Sequence, residues 1–340
     1  MGIFRERIAI DLGTAYSIVA HESSAKFLRI PSNIALDAAT RSPVAYGDDA
    51  KIMMGKAPVN QFELIRPLKD GVISNFEAAG HYLSYLVQRS RKNPLALQYD
   101  ILVCVPWGAT AVEVKSYIER VKSFRTSIKL VREPFAAALG CDLDVFSANG
   151  CTVIDIGGGT VEISTIAHGH MIFCSSIRAA GNAMDQMIVE KMLRQKLFEV
   201  GVNTAEEIKM KYGSVYPEDD EEEFEVRGLD RRTHGPGRTH LRTETLRDFL
   251  EPLILEIENR LKSHLKGLPP DIQRTVLSQG IYLVGGGALL KGWKTRFQKK
   301  LGVHVTIPEE PQYAVIRGMQ KILSKPRLYR SLLKVSQANH

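Results

Sequence analysis

Short apolar runs that end in an aspartate occur twice along the chain. The first run, residues 7–11, is followed by a glycine-containing turn and by a second apolar run, residues 17–20. Runs of this length bounded by turn residues are typical of β-strands, so the pattern predicts a β-hairpin. The same order recurs in residues 151–155 and 161–166, on either side of a glycine turn. The chain is therefore expected to use one strand-turn-strand unit twice.

Strand-like and helix-like patterns alternate along the rest of the chain. Residues 99–106 predict a buried strand, residues 110–122 an amphipathic helix, and residues 133–139 the start of another helix. In the second half, residues 184–198 and 246–265 have the spacing of long helices. This alternation favours the α/β class.

A third glycine run follows a predicted strand, residues 280–284, and precedes a helix that is expected from Leu289 onward. Between Pro217 and His240 the helical pattern breaks into an acidic run and then into a stretch rich in glycine, proline and arginine. Turn-forming residues between polar runs predict a surface hairpin within an insertion.

Composition places the chain among globular proteins. Its 340 residues are 44% hydrophobic and 24% charged, which is enough apolar material for one large two-lobed core or two ordinary ones. No apolar run reaches the ~18 residues that a membrane-spanning helix needs, and the first residues lack a secretory signal, so the expected location is the cytoplasm. Cys104, Cys141, Cys151 and Cys174 lie far apart without metal-ligand spacing and are predicted to be reduced core thiols.

The net charge of +7 predicts an anionic partner, and nucleic acid, acidic lipid and nucleotide phosphates are all candidates. Part of the positive charge is concentrated near the C-terminal end, where no acidic residue follows Glu310. The basic residues after it are Arg317, Lys321, Lys325, Arg327, Arg330 and Lys334. Both a solvated basic tail and a membrane contact fit this distribution.

The glycine turns predict a nucleotide site. A phosphate chain needs backbone N–H donors at close range, which the small residues of turns 13–15 and 157–160 allow. Each turn follows a strand that ends in an aspartate, so Asp11 and Asp155 would face the same phosphates. Two carboxylates are tolerable there beside a divalent cation, which predicts Mg²⁺ held largely through water. The glycine run 285–287 offers a flat surface for a base and ribose.

Each glycine turn by itself is weak evidence, because a glycine run after a strand is more often a structural turn than a ligand site. Two other kinds of nucleotide site are excluded by the residues. The chain contains no G-x-x-x-x-G-K-[ST] sequence, and none of the three glycine runs matches G-x-G-x-x-G. The prediction of one nucleotide therefore depends on the order and spacing of all three turns.

At these residues the sequence resembles the superfamily of actin, sugar kinases and chaperone ATPases, and within it the MreB-type bacterial actins. Residues 10–15 and 153–160 match the two phosphate motifs, residues 284–290 match the adenosine motif, and Glu133-Pro134 matches the first interdomain connection. The resemblance implies an actin-like fold in which two similar α/β domains, each with a small subdomain, surround a nucleotide cleft.

The resemblance also implies the domain bounds. Domain I is expected to comprise residues 1–140 and 311–340. Domain II is expected to comprise residues 141–310, with an insertion at about residues 215–242.

The resemblance assigns roles to individual residues. Glu133 would orient or deprotonate the water that attacks the γ-phosphate of ATP, Thr160 would assist that water, and Asp11 and Asp155 would organise the Mg²⁺ shell. Glu206 and Lys209, one helical turn apart, would face the ribose and base together with Gly286 and Gly287. Catalysis in this class is positioning and charge stabilisation. The residues implied to contact the nucleotide are Asp11, Gly13, Thr14, Ala15, Tyr16, Gly157, Gly158, Gly159, Thr160, Glu206, Lys209, Gly285, Gly286, Gly287 and Ala288.

Some positions depart from the family pattern. Tyr16 and Ser17 stand where Asn and Thr are usual, which places a phenol near the phosphates. Arg132 replaces the usual acid before Glu133, and Asn182 stands where an Asp is common. The helix predicted over residues 111–122, which pairs protofilaments in the family, differs in several residues.

The implied function is that of a cytoskeletal ATPase which hydrolyses ATP to ADP slowly and polymerises into nucleotide-dependent filaments, with a role in cell shape. Expected partners are further copies of the chain in paired protofilaments, an anionic membrane surface and membrane proteins of the cell-wall machinery, with no specific nucleic acid. The expected location is the cytoplasm, at the inner face of the membrane. Residues 89–97 and the stretch with Leu328, Leu332 and Val335 are the candidate membrane contacts, and a packed loop and closing helix fit them equally.

Three other functions stay open at this stage. The first is a specialised filament that positions plasmids or organelles such as magnetosomes. The second is a monomeric enzyme or chaperone ATPase of the same superfamily, and the third is a scaffold that binds nucleotide without hydrolysing it. Nucleotide-dependent pelleting would separate a filament from a monomer, and phosphate release would separate an ATPase from an inert scaffold.

Overall fold

A computed structural model describes residues 5–53, 61–69, 71–92, 98–110, 126–217 and 221–335. The chain forms two compact units. Unit 1 comprises Met1–Cys151, Ile166–His170 and Tyr313–His340, and unit 2 comprises Thr152–Thr165 and Met171–Gln312.

Nineteen strands and nine helices lie within the described residues. The strands are β1 Arg5–Leu12, β2 Tyr16–His21, β3 Leu28–Pro31, β4 Ile34–Asp37, β5 Pro43–Tyr46, β6 Phe62–Ile65, β7 Leu68–Lys69, β8 Val72–Ile73, β9 Gln98–Val105, β10 Thr126–Arg132, β11 Cys151–Ile156, β12 Val161–Ala167, β13 His170–Ile177, β14 Phe198–Glu199, β15 Glu223–Asp230, β16 Gly235–Arg242, β17 Ile281–Val284, β18 Val305–Thr306 and β19 Leu333–Val335. The helices are α1 Gly47–Met53, α2 Phe76–Ser90, α3 Glu133–Gly140, α4 Gly181–Lys196, α5 Val202–Tyr212, α6 Thr243–Lys266, α7 Pro270–Gln279, α8 Trp293–Leu301 and α9 Ala314–Ser324.

Unit 1 is built on a six-stranded sheet in the order β19-β10-β9-β1-β2-β3. Strands β1, β9 and β10 are parallel neighbours, whereas β1, β2 and β3 are antiparallel. The central strand β1 carries Ile8, Ala9 and Ile10, which are all fully buried because helices cover both faces of this part of the mixed sheet. Leu86 of α2 belongs to the core on one face, and α9 contacts β1 and α3.

Unit 2 contains a five-stranded sheet in the order β13-β12-β11-β17-β18. Its core gathers Ile154 and Ile163 of this sheet with Phe249 of α6 and Trp293 of α8. A second sheet, β14-β15-β16, is a surface hairpin with one added strand. Along β15 buried and exposed residues alternate, which is the pattern of a sheet with one solvated face.

The structure confirms the predicted strand-turn-strand units. Strands β1 and β2 pair in antiparallel register with Leu12 opposite Ser17, and β11 and β12 flank the second glycine turn as expected. The predicted hairpin between Pro217 and His240 is confirmed as β15 and β16, with its paired strands ending at Arg242. Residues 111–122, where the protofilament helix is predicted, lie outside the described residues.

Three sequence predictions need correction. The helix expected from Leu289 begins at Trp293, because a 3₁₀ turn over Gly286–Leu289 is followed by Gly292 with a left-handed φ of 92°. Helix α4 ends before Phe198, which belongs to β14, since Leu197 adopts a left-handed φ of 53°. The C-terminal stretch does not close the fold as a helix, because β19 pairs with β10.

The predicted burial of the cysteines is only partly correct. Cys104 is buried within β9, whereas Cys141, Cys151 and Cys174 are half-buried. Burial raises the pKa of the Cys151 thiol to about 12.

Within the described part of the chain, no helix combines the length and the apolar composition that crossing a bilayer requires.

Candidate functional site

The first predicted phosphate turn links β1 to β2 in unit 1. A Cβ on Gly13 would lie 2.3 Å from the backbone oxygen of Tyr16, so only glycine fits this turn. Ser32 fixes the turn from the side of β3: its hydroxyl donates to the Gly13 carbonyl at 2.6 Å and its N–H donates to the Ala15 carbonyl at 2.9 Å. The Thr14 hydroxyl accepts from the Gly71 N–H at 3.4 Å. The turn is therefore held in one conformation by its neighbours.

The side chain of Tyr16 is engaged by two cations of unit 1. The Lys51 ammonium donates to the Tyr16 hydroxyl at 2.9 Å, and the Arg29 guanidinium lies 3.6 Å from the ring centroid. Arg29 stands opposite Ile18 in the β2–β3 ladder, which places it on the same face of the sheet as Tyr16. The phenol thus ties strand β2 to helix α1.

Glu133 opens α3 directly after β10, with Pro134 in the first helical turn. A carboxylate at a helix N-terminus is stabilised by the helix dipole. Arg132 donates from one guanidinium nitrogen to the carbonyls of Pro106, Trp107 and Ala109 at 2.7, 3.0 and 3.2 Å. Arg132, which departs from the family pattern, therefore holds the segment that follows β9 in place.

The second phosphate turn follows β11 in unit 2. The N–H of Gly157 donates to the Thr160 carbonyl at 3.0 Å, which closes the turn. The carbonyls of Gly157 and Gly158 accept from the N–H groups of Gly181 and Asn182 at 3.1 and 2.7 Å. The first residues of α4 thereby hold this turn through its carbonyls.

Asp155 lies at the end of β11 and is only 9% exposed. Burial raises the pKa of its carboxyl group to about 6, because a charged group is poorly solvated there. A Cβ on Gly285 would lie 2.3 Å from Asp155 Oδ1, and Gly285 also has a left-handed φ of 82°. The glycine at this position makes room for the carboxylate.

The third glycine run follows β17, which is the parallel neighbour of β11. The N–H of Gly285 donates to the Pro311 carbonyl at 3.0 Å, and a Cβ on Gly287 would lie 2.1 Å from Ile156 Cγ2. At Gly286, by contrast, no atom of the described residues would come within 4 Å of a Cβ. The run packs against β11 and leaves an open surface without side chains at its centre.

Glu206 and Lys209 lie one helical turn apart on α5, as predicted. The Lys209 ammonium is 2.7 Å from Asp185 Oδ1 and donates to the Gly181 carbonyl at 2.8 Å. Both Gly181 and Asp185 belong to α4. Lys209 thus reaches the helix that holds the second phosphate turn.

Each unit can be assessed against the predicted site. In unit 1 the structure places Gly13, Thr14 and Ala15 in one turn, with Asp11 near the end of the preceding strand and Tyr16 at the start of the next. In unit 2 it brings together the turn at 157–160, Asp155, the glycines at 285–287 and, through α4, Lys209. Sequence reasoning did not find Ser32, Lys51 or Asp185, because none of them lies in a motif and each acts across a tertiary contact.

The donor set of unit 2 fits a nucleotide with a divalent cation. An open glycine surface suits a flat base, and a buried carboxylate in an apolar setting gains from a nearby cation. Among the described residues, no group of three or more His, Cys, Asp or Glu side chains is arranged around a common point.

Comparison with known proteins agrees with this geometry. Residues 5–331 match the model of the MreB/Mbl protein family. The cell shape-determining protein Mbl of Bacillus cereus is 35% identical over 317 residues, which cover 93% of this chain and 95% of that protein. The crystal structure of MreB5 of Spiroplasma citri bound to ADP superposes with a TM-score of 0.89 at 28% identity, covering 96% of this chain and 98% of that one.

The fold is also similar to that of a MamK double helical filament, with a TM-score of 0.79 and 25% identity over 94% of this chain and 99% of that one. The actin-like fold that the family resemblance implied is confirmed. The match extends over nearly the whole chain, beyond the three motifs. With its glycine turns in the order of that family, the chain belongs to the MreB/Mbl proteins.

Proposed function

We propose that this chain is a cytoskeletal ATPase that assembles into nucleotide-dependent filaments and contributes to cell shape. The observation that carries the proposal is the packing of the open glycine run at 285–287 against the buried Asp155 and β11, next to a phosphate turn of fixed geometry. This arrangement supplies a surface for a base, amides for phosphates and a carboxylate for a cation. The likeness to a cell shape-determining protein, an ADP-bound MreB5 and a MamK filament supports it.

The proposed ligand is ATP, and ADP after hydrolysis, with Mg²⁺. Bound Mg²⁺ supplies positive charge that neutralises the phosphates. Asp11 and Asp155 would hold the cation through water, and Glu133 would orient the attacking water with help from Thr160. The turns at 13–16 and 157–160 bind phosphates, and Glu206 with residues 285–288 binds ribose and base. Turnover is proposed to be slow. The protein's contribution is positioning and charge stabilisation, because the reaction has little covalent work for the protein to do.

The proposed partners are further copies of the chain and an anionic membrane surface in the cytoplasm. Leu328 is 59% exposed and lies between the exposed Arg327 and Arg330, which is the composition expected of a contact with acidic lipid. Leu332 is buried, so only part of the predicted apolar stretch is available. In the other candidate, residues 89–97, positions 93–97 lie outside the described residues. Membrane proteins of the cell-wall machinery are further proposed partners, without specific nucleic acid.

Assembly is tested by sedimentation and electron microscopy of the purified protein with ATP, with ADP and without nucleotide. The proposal predicts pelleting above a critical concentration in ATP, and filaments in the micrographs. A protein that stays monomeric at every concentration while releasing phosphate would instead be a monomeric ATPase.

Hydrolysis is tested with Glu133→Ala. We expect retained ATP affinity and phosphate release lowered by ~10-fold or more, because a positioned group that takes a proton from the attacking water typically contributes ~10²–10⁴-fold. Glu256→Ala, on the exposed face of α6, is the control and should behave like the parent protein. Unchanged turnover in Glu133→Ala would show that another group positions the water.

A further inference from the structure

A buried ion pair links helices α4 and α5 of unit 2. The side chains of Lys209 and Asp185 are only 12% and 4% exposed, and their charged atoms are 2.7 Å apart. The same ammonium donates to the carbonyl of Gly181, the first residue of α4, at 2.8 Å. A buried lysine is costly unless its charge is paired. Here Asp185 pairs the charge, and the Gly181 carbonyl of the same helix accepts a proton from the ammonium.

Gly181 occupies the space between this ammonium and the second phosphate turn. A Cβ on Gly181 would lie 3.3 Å from Lys209 Nζ, 3.4 Å from the Gly157 carbonyl oxygen and 3.5 Å from Gly158 Cα. The three groups therefore pack around the glycine with little room to spare. Movement of the first turn of α4 is resisted by the lysine on one side and by the phosphate turn on the other.

Hydrogen bonds continue this contact into the turn. The N–H groups of Gly181 and Asn182 donate to the carbonyls of Gly157 and Gly158. The start of α4 is thus engaged with protein carbonyls, and it acts on the turn by fixing where those carbonyls point. In a tight turn the direction of the carbonyls determines the direction of the adjoining amides, which are the groups that would bind phosphate.

We propose that Lys209, held by Asp185, is a positioning residue for the second phosphate turn. Its ammonium fixes the start of α4 against residues 157–158 and so presets the amides of the turn before a ligand arrives. This differs from the role implied by the family resemblance, in which Lys209 contacts ribose and base. The inference rests on the proposed nucleotide site, but its first test does not need a nucleotide.

The main variant is the double substitution Lys209→Met with Asp185→Leu, which removes both charges and leaves an apolar pair of similar volume. Replacement of a buried ion pair by apolar residues commonly preserves folding, whereas removal of one partner leaves a buried charge. Lys211→Met, an exposed lysine on the same helix, is the matched control. Circular dichroism and thermal melting of both variants verify that unit 2 is folded.

The first measurement is hydrogen exchange of the nucleotide-free protein. We expect the amides of residues 158–160 and of Gly181 and Asn182 to exchange about tenfold faster in the double variant, which corresponds to the loss of one hydrogen bond to a charged group. The amides of β12 should keep their rates, and Lys211→Met should match the parent protein. Unchanged exchange in the turn would overturn the proposal.

The second measurement compares affinities for ADP and AMP by calorimetry. A preset turn predicts about tenfold weaker ADP binding in the double variant, with AMP affected much less because it lacks the outer phosphate. If ADP and AMP lose the same affinity and the amides of the turn keep their exchange rates, Lys209 contacts the ribose and base instead. If the parent protein binds neither nucleotide, the proposed function fails, and the exchange result still decides the role of Lys209.

Discussion

Gly318 in α9 is a position where helix propensity and packing predict opposite effects of a substitution. Replacement of glycine by alanine in a helix interior normally stabilises a protein by ~0.5–1 kcal/mol. In this structure a Cβ at Gly318 would lie 1.8 Å from the carbonyl oxygen of Ala136 and 2.9 Å from the N–H nitrogen of Gly140. Both contacts are with the backbone of α3, which cannot move aside as a side chain could.

The size of the effect follows from the separation that the methyl group would force. Contacts of a Cβ under 3.0 Å are essentially never observed, so α3 and α9 would have to move apart by more than an ångström. A gap of 0.5–1 Å already removes a quarter to a half of the dispersion energy between facing atoms. Met319 and Ile322 are buried on α9 and share this cost. Overpacking typically costs ~1–3 kcal/mol, so for Gly318→Ala we expect a loss of about 2 kcal/mol from unit 1.

Scanning calorimetry of the nucleotide-free protein measures this loss, which should lower the melting temperature by about 4–8 °C in a unit of this size. Gly108→Ala is the control in the same unit, because no atom of the described residues would lie within 4 Å of its Cβ, and it should change stability by less than ~0.5 kcal/mol. Hydrogen exchange should show faster amides in α3 and α9. A melting temperature for Gly318→Ala equal to or above that of the parent would refute the packing argument.

Three further predictions concern unit 2. Burial lowers the pKa of His264 to about 4, so protonation of this side chain opposes folding. The contribution of His264 to stability is complete above the unfolded pKa of ~6.5 and is lost as the pH falls towards 4. Urea unfolding should show a loss of about 3 kcal/mol over this range. Arg296→Met removes a buried cation that bonds two glutamates and should cost ~3–5 kcal/mol in the same assay, whereas the exposed Lys294→Met should cost little. Gly285→Ala should weaken ADP binding ~10-fold or more, because its Cβ meets the buried aspartate of β11, whereas Gly302→Ala, which also has a positive φ, should not.

Each of these predictions has an outcome that contradicts it. A His264→Gln protein that loses as much stability on acidification as the parent would assign the pH dependence to other groups. Equal stability of Arg296→Met and Lys294→Met in urea unfolding would show that the network around Arg296 contributes nothing. Equal ADP affinity in Gly285→Ala and the parent would mean that the third glycine run is a structural turn.

Local pattern was sufficient for the paired strands and for the glycine turns. In β1 the apolar residues 8–10 lead to Asp11 and a glycine turn, and in β11 Val153 and Ile154 lead to Asp155 and a second one. A short window therefore contains all the information needed. The same reliance on local pattern explains why the helix was predicted to begin at Leu289. The apolar residues after the glycine run continue a helical pattern, but Gly292 has a left-handed backbone and the helix begins at Trp293. A glycine is compatible with either outcome, and neighbouring packing selects one.

Long-range partners were beyond the reach of sequence reasoning. Helical spacing places Glu206 and Lys209 on one face of α5, but it does not indicate that the ammonium meets Asp185 and the Gly181 carbonyl on α4. The same limit applies to Arg132. The sequence shows that it departs from the family pattern, but it does not show that its guanidinium bonds the carbonyls after β9.

The sequence by itself determined where the turns lie, which strands lead into them and which family the chain resembles, because these properties depend on residues that are neighbours along the backbone. Tertiary structure decided which groups hold the turns in place: Ser32 behind Gly13, α4 and Lys209 behind Gly157, and Gly285 beside Asp155. The physical reason is that hydrogen bonds and excluded volume act over a few ångströms in space. Two residues that lie a few ångströms apart in space can be far apart along the chain, where no sequence pattern connects them.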